Sequence, residues 1–263
     1  YRPMAHILDE AKRAVDAGYH EVELLGQNVN CWKHGRAGFA DLLAAVSDIP
    51  GVRRLRFTTS HPRHFPIAAA DLMAERENLC PYLHLPVQAG SDKILKAMRR
   101  QYDKAWYLDL VEEIRTRVPD IAFSSDVIVG FPGETEDDFK DTLDVVRRVE
   151  FDTLFSFRYS PRPGTPAQAM ETVPESVARE RHQHLLDLQL EIQTRRFASR
   201  VGETVEVLVE GRSKKGGQFS GRSPDNKVVN FTNAAPANVN DFVLVKIAKS
   251  YVNSLLGEAV SNP

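Results

Sequence analysis

The chain has 263 residues, 42% of them hydrophobic and 27% charged, with a formal net charge of -2 at pH 7 and only two cysteines. These figures exclude collagen-like, low-complexity and disulfide-stapled classes, and they fit a soluble globular protein of one large domain, or one large and one small. No run approaches the roughly 20 apolar residues of a membrane span, Tyr1-Arg2-Pro3-Met4 does not read as a signal peptide, and Cys31 and Cys80 lack any C-x-x-C spacing, so a cytoplasmic protein is expected.

Pro3, read as a first helical position, opens a helix in which Met4, Ile7, Leu8, Ala11 and Val15 recur near 3.6 residues, and Gly18 closes it. Five strands are expected near 20–26, 53–58, 81–86, 121–129 and 152–158. Helices near 38–48, 66–77, 91–98 with 104–117, and 136–149 separate them. Continuous apolar runs such as Ile121-Ala122-Phe123 and Val127-Ile128-Val129 suit parallel strands covered on both faces. Thr135-x-x-Asp138 predicts a capping box, and Pro119 ends the helix before the fourth strand. Every strand gives way to a small or polar turn, which is how the rim of a parallel α/β barrel reads, because the C-terminal strand ends share one face. A right-handed crossover needs a strand before its helix, so an upstream strand is expected. A five-stranded open sheet with an extra leading helix is the alternative.

Pro161-Arg162-Pro163-Gly164-Thr165-Pro166 is expected to be a rigid loop. Pro174 then starts a helix to about Ser199, with Val177, Leu185, Leu188 and Ile192 as its buried stripe. From Val201 the period changes to two, through Val205, Val207, Val209 and later Val243, Val245, Ile247. Turn signals at 216–217, 224–226 and 238–241 punctuate about five short strands, which predicts a small antiparallel OB-like barrel. Arg212, Lys214, Lys215, Arg222 and Lys227 cluster in and beside those turns, and from Arg200 onward eight Lys and Arg stand against six Asp and Glu. That balance points the small domain toward phosphate, although exposed turns are often charged in any case. Phe219 and Phe231 could offer stacking faces or fill the core.

The richest strand end is Asp126-Val-Ile-Val-Gly130-Phe-Pro-Gly133-Glu134. Its apolar floor and glycines let backbone approach a flat ligand, while Asp126 and Glu134 accept hydrogen bonds. Gln27, Asn28 and Gln88 are neutral amides at other strand ends, able both to donate and to accept. His61, between Ser60 and Pro62, could act as a general base, yet no serine or cysteine stands in a nucleophile elbow. Cys80 and His84 share one strand face as a buried pair rather than a metal site, His182 and His184 are expected to be solvated, and no metal site is expected.

Five strings carry a resemblance: Leu24-Leu-Gly-Gln-Asn-Val-Asn30, Arg56-Phe-Thr-Thr-Ser-His-Pro62, His84-Leu-Pro-Val-Gln-Ala-Gly-Ser-Asp92, Asp126-Val-Ile-Val-Gly-Phe-Pro-Gly-Glu-Thr135 and Tyr159-Ser-Pro-Arg-Pro-Gly-Thr-Pro166. Together they resemble the methylthiotransferase family of radical S-adenosylmethionine (SAM) enzymes, and within it the tRNA-modifying branch. Val207-Leu-Val-Glu-Gly211 with Gly221-Arg222 resembles a TRAM domain, a small RNA-binding β-barrel. The resemblance covers essentially the whole chain. It implies an incomplete radical-SAM (β/α)6-type parallel barrel over 1–173, a bridging helix over 174–199 and a TRAM barrel over 200–263.

The implied activity is insertion of a methylthio group at C2 of an isopentenyl-modified adenosine beside the tRNA anticodon, using SAM and two 4Fe-4S clusters. The implied cofactor contacts are Gln27, Asn28, Ser60, His61, Gln88, Asp126, Ile128, Val129, Gly130 and Glu134, and the implied RNA contacts are Arg212, Lys214, Lys215, Arg222 and Lys227. tRNA is the implied partner, and a monomer without membrane association is expected. The departures are equally specific. The family's Cys-x-x-x-Cys-x-x-Cys loop is absent, Cys31 and Cys80 do not match it, and Ala89 stands where the family commonly has serine. An upstream N-terminal portion of the same protein is therefore expected to supply the cluster ligands, and this chain alone is expected to be inactive. An RNA-binding module without catalysis, or a cofactor-free hydrolase using His61 and Glu134, are the competing readings.

Overall fold

A computed structural model of the protein describes residues 1–58, 60–213, 216–232 and 237–260. Helix α1 (Met4–Asp16) opens it, with Pro3 as its N-cap rather than its first helical residue, so the helix begins one place later than expected. Five parallel strands follow: β1 (Glu21–Leu24), β2 (Arg54–Phe57), β3 (Tyr82–His84), β4 (Ala122–Val129) and β5 (Thr153–Arg158). Helices α2 (Phe39–Ser47), α3 (Ile67–Glu75), α4 (Asp92–Ala97) with α5 (Lys104–Arg117), and α6 (Glu136–Val149) connect them.

β1 pairs with β2, and β4 lies between β3 and β5. A bridge between Leu55 and Leu79 joins the two groups, with Leu55 N–H donating to Asn78 O at 2.7 Å and Cys80 N–H to Leu55 O at 3.0 Å. The strands thus succeed one another in sequence order without reversal. That is barrel-type winding, in which each strand lies beside the next in sequence.

The two sheet faces differ sharply. Val22, Leu24, Leu55, Phe57, Leu83, Leu85, Phe123, Val127 and Val129 pack into the helix layer as the main core. The intervening residues Glu21, Glu23, Arg54, Arg56, Tyr82, His84, Ser124 and Asp126 occupy the opposite face. The expectation of apolar cover on both faces is therefore corrected: the period-two alternation in Glu-Val-Glu-Leu, Arg-Leu-Arg-Phe and Tyr-Leu-His-Leu marks one apolar and one polar face.

Helix α6 begins with the expected capping box: Thr135 N–H donates to Asp138 Oδ2 at 2.8 Å and Asp138 N–H to Thr135 Oγ1 at 3.2 Å. Asp138 also accepts from Ser91 Oγ and, at 2.9 Å, from Lys93 Nζ, which anchors the turn after β3 to the same helix end. Gly90 in that turn runs against α6 so closely that an added Cβ would lie 2.3 Å from Asp141 O.

Helix α7 (Glu175–Ala198) packs on β5 and α6. Its buried stripe is Ala178, Arg181, Leu185, Gln189 and Ile192, so two polar residues occupy positions where an apolar face was expected. Each has a partner: Gln189 Nε2 donates to Phe151 O at 2.9 Å and Arg181 pairs with Glu134. Phe197, near the end of α7, enters a second core.

That core fills a closed five-stranded barrel of β6 (Thr204–Arg212), β7 (Phe219–Arg222), β8 (Val228–Thr232), β9 (Phe242–Tyr251) and β10 (Ser254–Ala259), in the order β10-β8-β7-β6-β9. Val207, Val209, Val229, Phe231, Val245 and Ile247 alternate inward. All its pairings are antiparallel except β10 with β8, which is parallel and closes the barrel.

Candidate functional site

The polar sheet face and the small barrel are locked together by buried charge. Arg54 donates to Glu206 O at 2.6 Å and Arg222 O at 2.8 Å, and Arg56 donates to Ser223 O at 2.7 Å and Pro224 O at 2.8 Å. Guanidinium groups suit this work because their planar forks donate to several carbonyls at once. Beside them, Lys227 Nζ lies 2.7 Å from both Asp152 Oδ1 and Asp225 Oδ2, and Arg196 lies 2.9 Å from Asp152.

Between the two units a cavity of about 480 Å³ remains, with Glu21, Glu23, Tyr82, His84, Asp126 and Phe155 on the sheet side and Glu210, Arg222 and Asn226 on the barrel side. His84 is held by Ser124, whose Oγ lies 2.8 Å from Nδ1 and 2.7 Å from the Tyr82 hydroxyl, and His84 Nε2 lies 3.5 Å from Asp126 Oδ2. Phe155 and Phe157 expose about half of their surface on this face.

At the rim, Asn30 is buried and ties two strand-end turns together: its Nδ2 donates to His61 O at 2.8 Å, and His61 N–H donates to its Oδ1 at 2.9 Å. Ser60 Oγ and His61 Nδ1 are buried without a hydrogen-bond partner among the described residues. Burial, then Arg100 and His64, lowers the basicity of His61, so the ring is held neutral at pH 7. Gln88 takes a left-handed backbone (φ 72°), unusual outside glycine; its N–H donates to Asp126 O and its carbonyl accepts from Ile128 N–H, both at 2.9 Å.

The sequence-expected contacts divide accordingly. Gln88, Asp126 and Ile128 come together, with Ile128 on the polar face beside Asp126's strand position, and Ser60 and His61 sit on the same rim. Gln27 and Asn28 instead line a separate cleft of about 800 Å³ along the outer edge of β1 and α1. Val129 faces the helix core because side chains alternate along a strand, so it cannot floor a ligand on the other face. Gly130 (φ +73°) is covered by α7, where an added Cβ would meet Ala178 Cβ at 2.8 Å, so helix packing rather than a flat ligand uses its close approach. Glu134 is also committed. Its Oε1 accepts from Arg181 Nη1 at 2.9 Å and Gly130 N–H at 3.1 Å, and burial raises its pKa despite both partners.

Among the expected RNA contacts, Lys227 is 5% exposed and occupied by two carboxylates, which removes it from any RNA-facing surface. Arg222 pairs with Glu210 at 2.9 Å. Arg212 is exposed, with its guanidinium 4.8 Å from the Phe219 ring centre, while Phe231 is core. Lys214 and Lys215, like Thr59, lie outside the described residues. His182 is not simply solvated, since its Nε2 contacts Ser156 Oγ at 2.9 Å. Sequence reasoning missed Arg54, Arg56, Asn30 and Asp152; the alternating Arg-Leu-Arg-Phe was the available signal for the first two.

The radical SAM superfamily model matches residues 1–146, and the TRAM domain model matches residues 198–260. The chain belongs to the radical SAM superfamily. It is 47% identical over 264 residues to the tRNA-2-methylthio-N(6)-dimethylallyladenosine synthase of Carboxydothermus hydrogenoformans, which covers 98% of this chain and 60% of that protein. It is 46% identical to the proteins of the same name from Acetivibrio thermocellus, over 98% of this chain and 55% of the relative, and from Agrobacterium fabrum, over 99% and 58%. The chain thus spans little more than half the length of these curated relatives.

The superfamily implies SAM and a 4Fe-4S cluster, and the residues present treat the two differently. Buried polar atoms of Ser60 and His61 without partners, together with the part-exposed Asp126 carboxylate, fit a polar organic cofactor at the rim. The cysteines do not fit a cluster: burial pushes the Cys80 thiol up to about 11, and among the described residues no group of three His, Cys, Asp or Glu side chains is arranged to hold a metal ion.

Proposed function

We propose that the chain is the barrel and TRAM part of a tRNA-modifying methylthiotransferase, which adds a methylthio group to C2 of an N6-isopentenyladenosine next to the anticodon. The observation that carries this reading is 47% identity to a relative bearing that activity in its name, aligned through both domains over 98% of the chain. In this reading SAM is held by Ser60, His61, Gln88, Asp126 and Ile128, and supplies methyl and radical chemistry when bound. The chain's own residues orient the cofactor and keep water from it: Asn30 fixes the rim turns, and His61 and Ser60 supply polar atoms already stripped of solvent. Arg212, with Lys214, Lys215 and Arg222, meets tRNA phosphate. The protein works as a cytoplasmic monomer.

A second reading, an RNA-binding module without catalysis, is favoured by the misfit of Cys31 and Cys80 to a cluster, which also leads us to expect no turnover from this chain alone. Equilibrium dialysis with labelled SAM separates the two. Saturable SAM binding that weakens in Gln88→Ala supports the first. tRNA retention in a filter assay with no SAM binding supports the second, and neither kind of binding overturns both.

A further inference from the structure

Three connections on the rim carry an unbalanced charge. The segment 25–38 after β1, the segment 58–66 after β2 and the segment 98–102 between α4 and α5 hold Lys33, Arg36, Arg63, Arg99 and Arg100, and no Asp or Glu. Asp103, the next residue, is taken up in capping α5, where it accepts from Trp106 N–H at 2.8 Å. Away from the rim the buried cations are matched: Arg54, Arg56, Arg181, Arg196 and Lys227 all meet carboxylates. None of the five rim cations pairs with a carboxylate among the described residues. Unpaired like charges gathered on one surface repel one another, and a bound anion relieves that repulsion.

Two of these cations stand on a built aromatic base. The Tyr102 hydroxyl donates to Pro86 O and Val87 O, both at 3.2 Å, which fixes segment 98–102 to the end of β3, and its ring lies 6.1 Å from that of His61. Trp106 stacks on Tyr102 with 5.7 Å between ring centres, and the Arg63 guanidinium carbon stands 5.3 Å from the Trp106 ring centre. A guanidinium stacked in this way is oriented in advance while its fork stays free to donate. The His64 ring lies 5.1 Å from the His61 ring. The Arg100 charge reaches the same point, since Arg100 and His64 both oppose protonation of His61. Arg63 and His64 are exposed and Arg100 is half-buried, so the group faces solvent.

Guanidinium forks beside an imidazole suit an anion with several acceptor oxygens. The donors lie on an open surface rather than in a closed pocket, and further cations continue along segment 25–38, which fits a strand of linked anions passing over the rim. We propose that Arg63, Arg100 and His64 form a phosphodiester site for the RNA backbone on the barrel rim, separate from the small barrel. Trp106 is a positioning residue that holds Arg63 toward the phosphate. The proposal rests on the reading above, in which the substrate is tRNA, and deepens it by giving the RNA strand a second point of attachment beside the cofactor rim.

The test uses the full chain and an anticodon stem-loop carrying the isopentenyl-modified adenosine, with binding followed by fluorescence anisotropy from low to moderate salt. Arg63→Gln and Arg100→Gln are each expected to weaken binding and to reduce the magnitude of the salt slope by about 0.7, and the double variant by about 1.4. Trp106→Leu should lower affinity and Trp106→Phe, which keeps a ring beneath Arg63, should restore it. Stem-loop binding with an unchanged slope in the double variant overturns the proposal and leaves the tRNA reading standing. A fall in SAM affinity with that slope unchanged assigns the cations to the cofactor's carboxylate and overturns it equally. Should the double variant fail to fold, phenylglyoxal modification of the unsubstituted chain decides: the stem-loop must shield Arg63 and Arg100, and inorganic phosphate at the same phosphate concentration must not. No shielding, or equal shielding by inorganic phosphate, defeats the proposal. Arg63 already shielded without RNA in the intact longer protein gives these cations to the upstream portion and also defeats it. Failure of the unsubstituted chain to bind the stem-loop at all defeats the tRNA reading along with the proposal.

Discussion

The ammonium of Lys227 sits 2.7 Å from Asp152 Oδ1, joining the small barrel to the start of β5 through a contact from which water is excluded. Lys227 also holds Asp225, whose pKa burial would raise but which Lys227, Arg200 and Ser223 together lower. Truncating the lysine removes the one cation that two buried carboxylates share, leaving Asp152 with Arg196 and Asp225 with Arg200 and Ser223. Lys227→Met is therefore expected to cost about 3–5 kcal/mol, read as a lower urea midpoint. Loss of RNA affinity at full stability would contradict the structural assignment.

Asp138 should make stability depend on acid. Burial raises its pKa, but Lys93, Ser91 and Thr135 outweigh burial and hold it well below the usual carboxylate range. A depressed folded-state pKa contributes stability that is complete above the unfolded value, near ~3.9, and is lost as pH falls through the folded one. Asp138→Asn is expected to cost about 1–2 kcal/mol at pH 7, in keeping with loss of a helix cap. Thermal melts should show the difference narrowing below pH 4, and a difference constant with pH would refute this account.

Glu134 and Arg181 make an asymmetric pair. The Glu134 pKa is raised chiefly by burial, so its contribution is fully present below the ordinary carboxylate range and diminishes as pH rises through the folded value. Glu134→Gln, which keeps an acceptor for Gly130 N–H, should be tolerated and should flatten the pH profile. Arg181→Ala leaves a buried carboxylate without its cation and should cost about 3–5 kcal/mol. Equal losses in the two variants, measured at pH 7, would argue against this division.

Gly90→Ala tests the packing of the β3 turn on α6. The clash partner is backbone, which cannot swing aside as a side-chain tip can, so the helix or the turn must shift. A loss of about 1–3 kcal/mol is expected, as for other overpacked sites, and chemical denaturation with an unchanged slope would measure it. No measurable loss would mean that the turn moves freely.

In the proposed reading Arg212, an exposed cation at the end of β6, meets tRNA phosphate. Arg212→Gln should weaken tRNA binding and reduce the magnitude of the salt slope by about 0.7, the amount for one single-stranded phosphate contact. Binding measured from low to moderate salt decides this, and an unchanged slope removes Arg212 from the interface.

Much of the fold was legible because local rules and the final packing agree. Pro, Gly and the Thr135-x-x-Asp138 box punctuate the chain where elements begin and end, and apolar spacing marks which face each helix and strand buries. Joint strings of residues also pointed to the superfamily. Tertiary structure alone decided which polar groups are free. Lys227 and Glu134 look like ligand contacts in sequence, yet each meets an opposite charge from an element distant in the chain: Asp152 lies 75 residues from Lys227 and Arg181 lies 47 from Glu134. Gln27 follows the end of β1 and Asp126 lies within β4, and the two open onto different cavities. Periodicity reports how a side chain stands to its own backbone, whereas charge pairing and cavity walls depend on what another segment brings within a few ångströms, and no local pattern encodes that.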